Sequence, residues 1–484
     1  MKNSSKTQDS IAASMVFKSV ERYSVLVIQT IVSIVIARIL SPSDYGIIAM
    51  MSVFISIASI FINSGFNMAL VQKKDASTED YNTALIINLA IGLFFYAVLY
   101  LTAPLIASFY NQPTISVTLR VLALVLPLGA VSSIQTAIAT REMRFKNLLW
   151  ANLIGGVISG IIGVVLALMG FGVWALIAQQ IASVVCITAV LFFVLAYKPQ
   201  FTYRKESAHS MFAFGWKLLA AGIVNQIYNE LNSLIIGKKY LASDLAFYNK
   251  GKSFPSVVTT GIDGAVSTVS FAALSKKQED RDYMISLIRK TLISNSYLLF
   301  WALSLLAMSA DALTSVLLTD KWLPMVPYLQ ICCFTFAFHP MGSLDMQAIA
   351  AIGRSDLRLK LEFIKKPIGI VLLIIAIKYG PIAIALSAAV TSIVSLIIGA
   401  VACEKTIGYT VGAHFKDILP IIMISVLSCG AMYLIGLFSF MPIVTLLLQI
   451  ISGSLVFILI SAVFKLESFI ILKDKTLELI KIKK

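Results

Sequence analysis

Charged and amide residues are scarce in this chain, and those inside long apolar runs are where chemistry can be sought. Lys18, Glu21 and Arg22 stand at i, i+3 and i+4, which puts all three on one face of a helix. The uncharged run that follows, Tyr23 to Ala37, is shorter than the roughly 20 residues that cross a bilayer as a helix, so Glu21 and Arg22 are drawn below the headgroups. A cation at membrane depth costs roughly 2.5–3.5 kcal/mol on insertion scales. Such a cation can bind an anion in a hydrated cavity, snorkel to the interface or pair locally. The residue types allow each of these. Lys217 holds a similar place in the segment 212–237.

The same segment carries Asn225, Gln226, Asn229, Glu230, Asn232 and Ser233. Residues 225, 229 and 232 follow helical spacing and form a polar stripe between Ile223, Val224, Ile227, Leu231 and Leu234. A lipid-facing surface would not tolerate that stripe. It lines a central cavity, or it makes hydrogen bonds that hold helices together. Further on, Lys250 and Lys252 precede Asp263, with Pro255, Gly261 and Gly264 available to bend the helix. The two lysines can engage an anion or edge a loop.

His339-Pro340 and Asp345, beside Gln347, make another interrupted polar patch. Glu362 and Lys366 are spaced as an i, i+4 ion pair, and Arg120 reads as interfacial. The carboxylates Glu21, Glu230, Asp263 and Asp345 are candidates to balance charge or to bind Na⁺ or a proton. No paired carboxylates sit on a substantial loop, and the longest loops are about fifteen residues, so catalysis is not expected. Cys186, Cys332, Cys333, Cys403 and Cys429 suggest neither a disulfide framework nor a metal site. No cofactor is expected, apart from coupling to Na⁺, H⁺ or the membrane potential.

These residues need an apolar frame, and the composition supplies one. Of 484 residues 58% are hydrophobic and 13% charged, and the mean hydropathy is +0.89, which excludes an ordinary soluble domain. Helices are expected near 15–38, 46–69, 82–107, 116–140, 147–169, 173–196, 212–237, 247–274, 290–311, 325–351, 359–378, 381–402, 416–438 and 442–464. The fold class is therefore an all-α polytopic membrane protein with about 14 transmembrane helices.

The net charge of +15 would suggest nucleic acid in a soluble protein, but its placement argues otherwise. Lys73/Lys74, Arg141/Arg144/Lys146, Lys198/Arg204/Lys205, Lys276/Lys277/Arg281, Arg354/Arg358/Lys360 and Lys405 occupy every second loop. By the positive-inside rule both termini are cytoplasmic. Residues 1–14 lack the h-region and cleavage pattern of a secretory signal, so the first span is expected to be retained. The basic tail 465–484 reads as a helix lying on an anionic inner leaflet.

Self-similarity at a period of about 200 residues groups these helices. Ala37-Arg38 and Ser43-Asp44-Tyr45-Gly46 resemble Gly237-Lys238 and Ser243-Asp244-Leu245-Ala246, and Ile62-Asn63 matches Ile262-Asp263. Gln135 to Ala139, followed by Arg141 and Lys146, resembles Gln347 to Ala351, followed by Arg354 and Arg358. The order gives two parallel six-helix bundles, 15–196 and 212–402, joined by a cytoplasmic linker 197–211 and followed by a helix pair 416–464. Transporters with such repeats rock one bundle against the other around a shared site.

Over nearly its whole length the chain resembles the polysaccharide-unit (Wzx-type) flippases of the MOP exporter superfamily, whose fold is MATE-like. The most specific pieces are Ala37-Arg38-Ile39-Leu40-Ser41-Pro42-Ser43-Asp44-Tyr45-Gly46 and Arg141-Glu142-Met143-Arg144-Phe145, which look like the exopolysaccharide (colanic-acid-like) group. The resemblance implies a bacterial inner-membrane protein that flips an undecaprenyl-pyrophosphate-linked oligosaccharide to the periplasmic leaflet by alternating access. Its partners would be the lipid-linked oligosaccharide, membrane lipids, a polysaccharide polymerase and export machinery, with no nucleic acid. Lys18, Arg22, Lys217, Asn225, Asn229, Lys250 and Lys252 would then face pyrophosphate or sugar. A cation-coupled multidrug exporter and a lipid II flippase share this architecture, and a membrane enzyme of polysaccharide assembly is the reading from another class.

Overall fold

The computed structural model describes the backbone of residues 2–482 except 64–66, 68–69, 71–72, 74–75, 196, 198, 201, 277–279 and 439. Within helices, side chains are described except at 1–19, 214, 217, 265–273, 275–276, 355 and 475–484. Among the described residues every regular element is a helix. The chain falls into two units, Met1–Ala246 and Phe247–Lys484.

The first unit contains α1 (Lys2–Ile39), α2 (Pro42–Asn63), α3 (Thr78–Tyr110), α4 (Thr114–Leu122), α5 (Val125–Arg141), α6 (Phe145–Leu168), α7 (Val173–Val194) and α8 (Lys205–Lys239). The next helix, α9 (Ala242–Lys276), begins in it and runs into the second unit. The second unit continues with α10 (Arg281–Met308), α11 (Ala310–Leu317), α12 (Val326–Ala337), α13 (His339–Ala351), α14 (Ser355–Ala376), α15 (Pro381–Thr406), α16 (Val411–Gly436), α17 (Pro442–Val463) and α18 (Glu467–Ile482). The division at 246/247 comes later than the linker 197–211, because α8 packs on α2 and α3.

Among the described residues ten helices are long and apolar enough to cross a membrane. They include every expected segment except 212–237, 247–274, 325–351 and 359–378, which are helical as well. Three of those four, α8, α9 and α14, carry amide or charged residues that lower their apolarity, and the fourth, α12 with α13, contains Gln330, His339, Asp345 and Gln347. Large apolar side chains face outward, among them Leu101, Leu105, Phe193 and Val463, as they would where the surrounding solvent is hydrocarbon.

Two expected spans are broken at matching places in the repeat. Segment 116–140 divides between α4 and α5 at Ala123–Leu124, and segment 325–351 divides at Phe338. Pro127 and Pro340 stand in the first turn of the second half, where a missing N–H breaks no helical bond. The short α11 was not expected; its eight residues make a partial turn of the chain before the next span.

Close packing inside the first unit depends on small residues. A Cβ at Gly160 of α6 would lie 2.5 Å from a methyl of Val32, and one at Gly155 would lie 2.5 Å from Ile187, so α1, α6 and α7 meet at backbone distance. The tightest approach is at Gly46, where a Cβ would stand 1.9 Å from the carbonyl oxygen of Ala242. No rotamer change relieves a clash with backbone. Gly46→Ala should therefore destabilise the chain by about 1–3 kcal/mol, seen as a lower melting temperature in detergent. Gly430→Ala, where nothing lies within 4 Å, should leave it unchanged or higher.

Candidate functional site

The two motifs that carry the family resemblance make helix ends. Ser41 and Asp44 cap α2 reciprocally: the Ser41 hydroxyl donates to Asp44 Oδ2 at 2.6 Å, and the Asp44 amide donates to Ser41 Oγ at 3.2 Å. In the second copy the Leu241 amide donates to Asp244 Oδ2 at 3.1 Å. At the other motif Met143 adopts φ 55° in the α5–α6 turn, and Arg144 pairs with Glu142 at 2.7 Å. Gly353 takes the corresponding left-handed position with φ 78°. These residues cap helices and shape the turns between them.

The approach to α8 is tied to the start of α3. Asn82, buried, donates to Thr202 Oγ1 at 2.9 Å and accepts from the Tyr197 hydroxyl at 2.7 Å and the Gln200 amide at 3.1 Å. Arg141 donates to Tyr81 Oη at 2.8 Å and to the Ala76 carbonyl. Burial pushes the Tyr197 phenol up to about 12, so it stays a donor at neutral pH.

On α8, Asn225 and Asn229 are exposed, and Gln226 and Glu230 are half-buried. Glu230 accepts from Gln226 Nε2 at 3.0 Å and from Ser56 Oγ of α2 at 3.2 Å. The stripe is thus divided between amides that remain accessible and a carboxylate that braces α8 on α2. On α1, Glu21 is buried and accepts from Asn152 Nδ2 of α6 at 2.8 Å, while Arg22 is exposed. Interhelical bonds of this kind contribute about 0.6 kcal/mol on average. The side chains of Lys18 and Lys217 lie outside those described.

In the second unit Lys250 is buried, its ammonium 5.8 Å from the ring centre of the fully buried Trp322, and Lys252 is half-buried. Asp263 accepts from Asn295 Nδ2 of α10 at 2.7 Å and from Ser343 Oγ of α13 at 3.4 Å. Its other oxygen faces His339 Nδ1 at 3.3 Å. Asp345 is fully buried and meets His414 Nε2 of α16 at 2.9 Å. Cys403 of α15 completes a buried trio whose donor atoms lie within 4.8 Å of one another. The Lys366–Glu362 pair forms at 3.7 Å.

The sequence reading missed His414, Cys403 and Asn295, which lie 69, 58 and 50 residues from Asp345. One signal was available: the chain has only three histidines, and two of them meet the two aspartates singled out on α9 and α13.

Next to His414 the network reaches an aqueous edge. The Tyr409 ring packs on the imidazole with centroids 4.0 Å apart, and its hydroxyl donates to Asp417 Oδ2 at 2.6 Å. Burial, with the Asp417 carboxylate beside it, pushes the Tyr409 phenol up and keeps it protonated. Arg289 donates to Asp417 at 3.0 Å and, through two nitrogens, to both oxygens of Glu467 at 2.8 and 2.6 Å. This fork docks α18 on α10.

The Arg289 guanidinium holds the Glu467 carboxyl below its ordinary value. Its contribution is therefore present above the usual glutamate range near 4.3 and is lost as pH falls through the depressed folded value. A spin label at Ile470→Cys, in a chain freed of other cysteines, should be immobile at pH 7 and mobile below about pH 4. Arg289→Ala should make it mobile at both.

A family model described as polysaccharide biosynthesis protein matches residues 35–327. The succinoglycan biosynthesis transport protein ExoT of Rhizobium meliloti (strain 1021) is 27% identical over 249 residues, 51% of this chain and 50% of that protein, so in that match the chain spans half the relative's length. The teichuronic acid biosynthesis protein TuaB of Bacillus subtilis (strain 168) is 23% identical over 384 residues, covering 76% of this chain and 77% of the relative. In fold, the lipid II flippase MurJ in an inward closed conformation superposes with a TM-score of 0.76 at 16% identity, over 93% of this chain and 98% of that one.

Proposed function

Because this chain belongs to the polysaccharide biosynthesis protein family, we propose that it flips an undecaprenyl-pyrophosphate-linked oligosaccharide repeat unit from the cytoplasmic to the periplasmic leaflet for surface or exopolysaccharide synthesis. It is a transporter, not an enzyme. The observation that carries the reading is the stripe on α8. Asn225 and Asn229 stay accessible in a chain of apolar spans, and amides that both donate and accept suit sugar hydroxyls. Arg22, exposed near the start of the first span, supplies a cation for pyrophosphate. Lys18, Lys217, Lys250 and Lys252 are further candidate cations for the substrate.

The relatives' names support a polysaccharide substrate, since two of them are named for making succinoglycan and teichuronic acid. In this reading the protein sits in the inner membrane with both termini cytoplasmic. It works by alternating access of two six-helix bundles, with the pair 416–464 outside the repeat, and hands its product to a polymerase and export machinery. The membrane potential acts on the substrate's own charge, at roughly 2.3 kcal/mol per charge per 100 mV.

Arg22→Ala, and separately Asn225→Leu with Asn229→Leu, should lower surface polysaccharide at least ~10-fold while the membrane level of the protein stays normal. Unchanged polysaccharide in both variants would overturn the assigned path. Rescue of growth in a strain lacking its lipid II flippase would move the substrate to a peptidoglycan precursor, and drug sensitivity on deletion would move it to drug efflux.

A further inference from the structure

The second unit contains a buried carboxylate–imidazole pair to which the proposed substrate path assigns no role. Asp345 of α13 and His414 of α16 are each 0% exposed. His414 Nδ1 lies 2.9 Å from the Thr410 carbonyl oxygen, and Nε2 lies 2.9 Å from Asp345 Oδ1. A carbonyl oxygen only accepts, so Nδ1 carries a hydrogen. Nε2 and Oδ1 can then be hydrogen-bonded only if a second proton lies between them. The pair therefore holds one proton more than a neutral imidazole beside a carboxylate, and its net charge is zero.

Loss of that proton would set two lone pairs against each other at 2.9 Å and leave a buried carboxylate uncompensated. A countercharge stands nearby. A Cβ on Gly399 would lie 3.7 Å from Lys365 Nζ of α14 and 3.8 Å from Asp345 Oδ2, the oxygen without a hydrogen-bond partner. Both groups thus border the same small space beside Gly399. The groups facing the pair are then Lys365, Cys403, Tyr409, Asp417 and, beyond Asp417, Arg289.

The internal repeat shows that an ionisable pair is not required to build this place in the fold. Counted back from the two matching turns at Met143 and Gly353, the residue opposite Asp345 is Gln135, a neutral amide in an equally buried position. A path also exists. His339, paired with Asp263, lies six residues before Asp345, roughly 9 Å along α13. On the other side Tyr409 and Asp417 lead to the half-exposed Arg289.

We propose that Asp345 and His414 form a proton-binding site that loads and unloads in the working cycle. The proton between Nε2 and Oδ1 leaves toward the Asp417 carboxylate. It leaves behind His414 with its Nδ1 hydrogen and an ionised Asp345 balanced by Lys365, and rebinding reverses the step. A hard cation such as Na⁺ takes oxygen ligands and is disfavoured by imidazole and thiol. Zn²⁺ is the competing occupant, but structural zinc takes four donors, and the 2.9 Å contact is a hydrogen-bond length. Only the link from proton exchange to oligosaccharide movement rests on the proposed function.

The test is nitrogen-15 NMR of the full chain, histidine-labelled, in lipid nanodiscs; three imidazoles make assignment direct. One signal, absent in His414→Gln, should change by one proton within the pH range over which the chain stays folded. That transition should vanish in Asp345→Asn and return in the exchange Asp345→His with His414→Asp. Lys365→Met, which leaves the pair intact, should keep the proton bound and remove the transition from that range. Shifts that stay fixed with pH in the folded wild type would make the pair a static pin and overturn the site. So would Zn²⁺ raising the melting temperature of the wild type but not of His414→Gln. In proteoliposomes a pH gradient should speed oligosaccharide translocation, and Asp345→Asn should cut that gain at least ~10-fold. A titrating pair in a protein that moves no oligosaccharide would overturn the flippase reading and leave the proton site standing.

Discussion

In hydrocarbon a backbone amide or carbonyl has no partner outside its own helix, and a side-chain charge has none outside the protein. Both halves of that constraint are visible in this chain. The regular elements are helices, their outward faces are large apolar side chains, and the polar residues that enter the spans are turned onto other helices. Glu21 meets Asn152, Glu230 meets Ser56, Asp263 meets Asn295, and Asp345 meets His414. Each contact joins two helices and so does structural work whatever else it does.

Asn225 and Asn229 of α8 are exposed, whereas Gln226 and Glu230 beside them are half-buried. Helices α8, α9 and α14, together with the broken segment α12–α13, carry charged or amide residues and fall short of a purely apolar span.

Within the sequence self-similarity Asn63 stands where the second half has Asp263, and counted from the helix ends Gln135 stands where it has Asp345, so neutral groups face carboxylates at both places. Each of the two carboxylates has a histidine beside it.

The sequence by itself determined the all-α membrane fold, because apolar run length is tied to bilayer thickness and needs no tertiary information. It located most helices to within a few residues and the polar residues that the spans contain. It also gave the two family motifs, though not that they are a capping arrangement and a left-handed turn. Only the tertiary structure decided which member of each local group faces inward. Glu21 and Arg22 are neighbours on one helix, yet one is buried against α6 and the other exposed, since a helix face becomes an inside only when another helix covers it. It likewise decided that α8 packs with the first unit and that Asp345 meets His414, 69 residues away, a pairing that no local periodicity encodes.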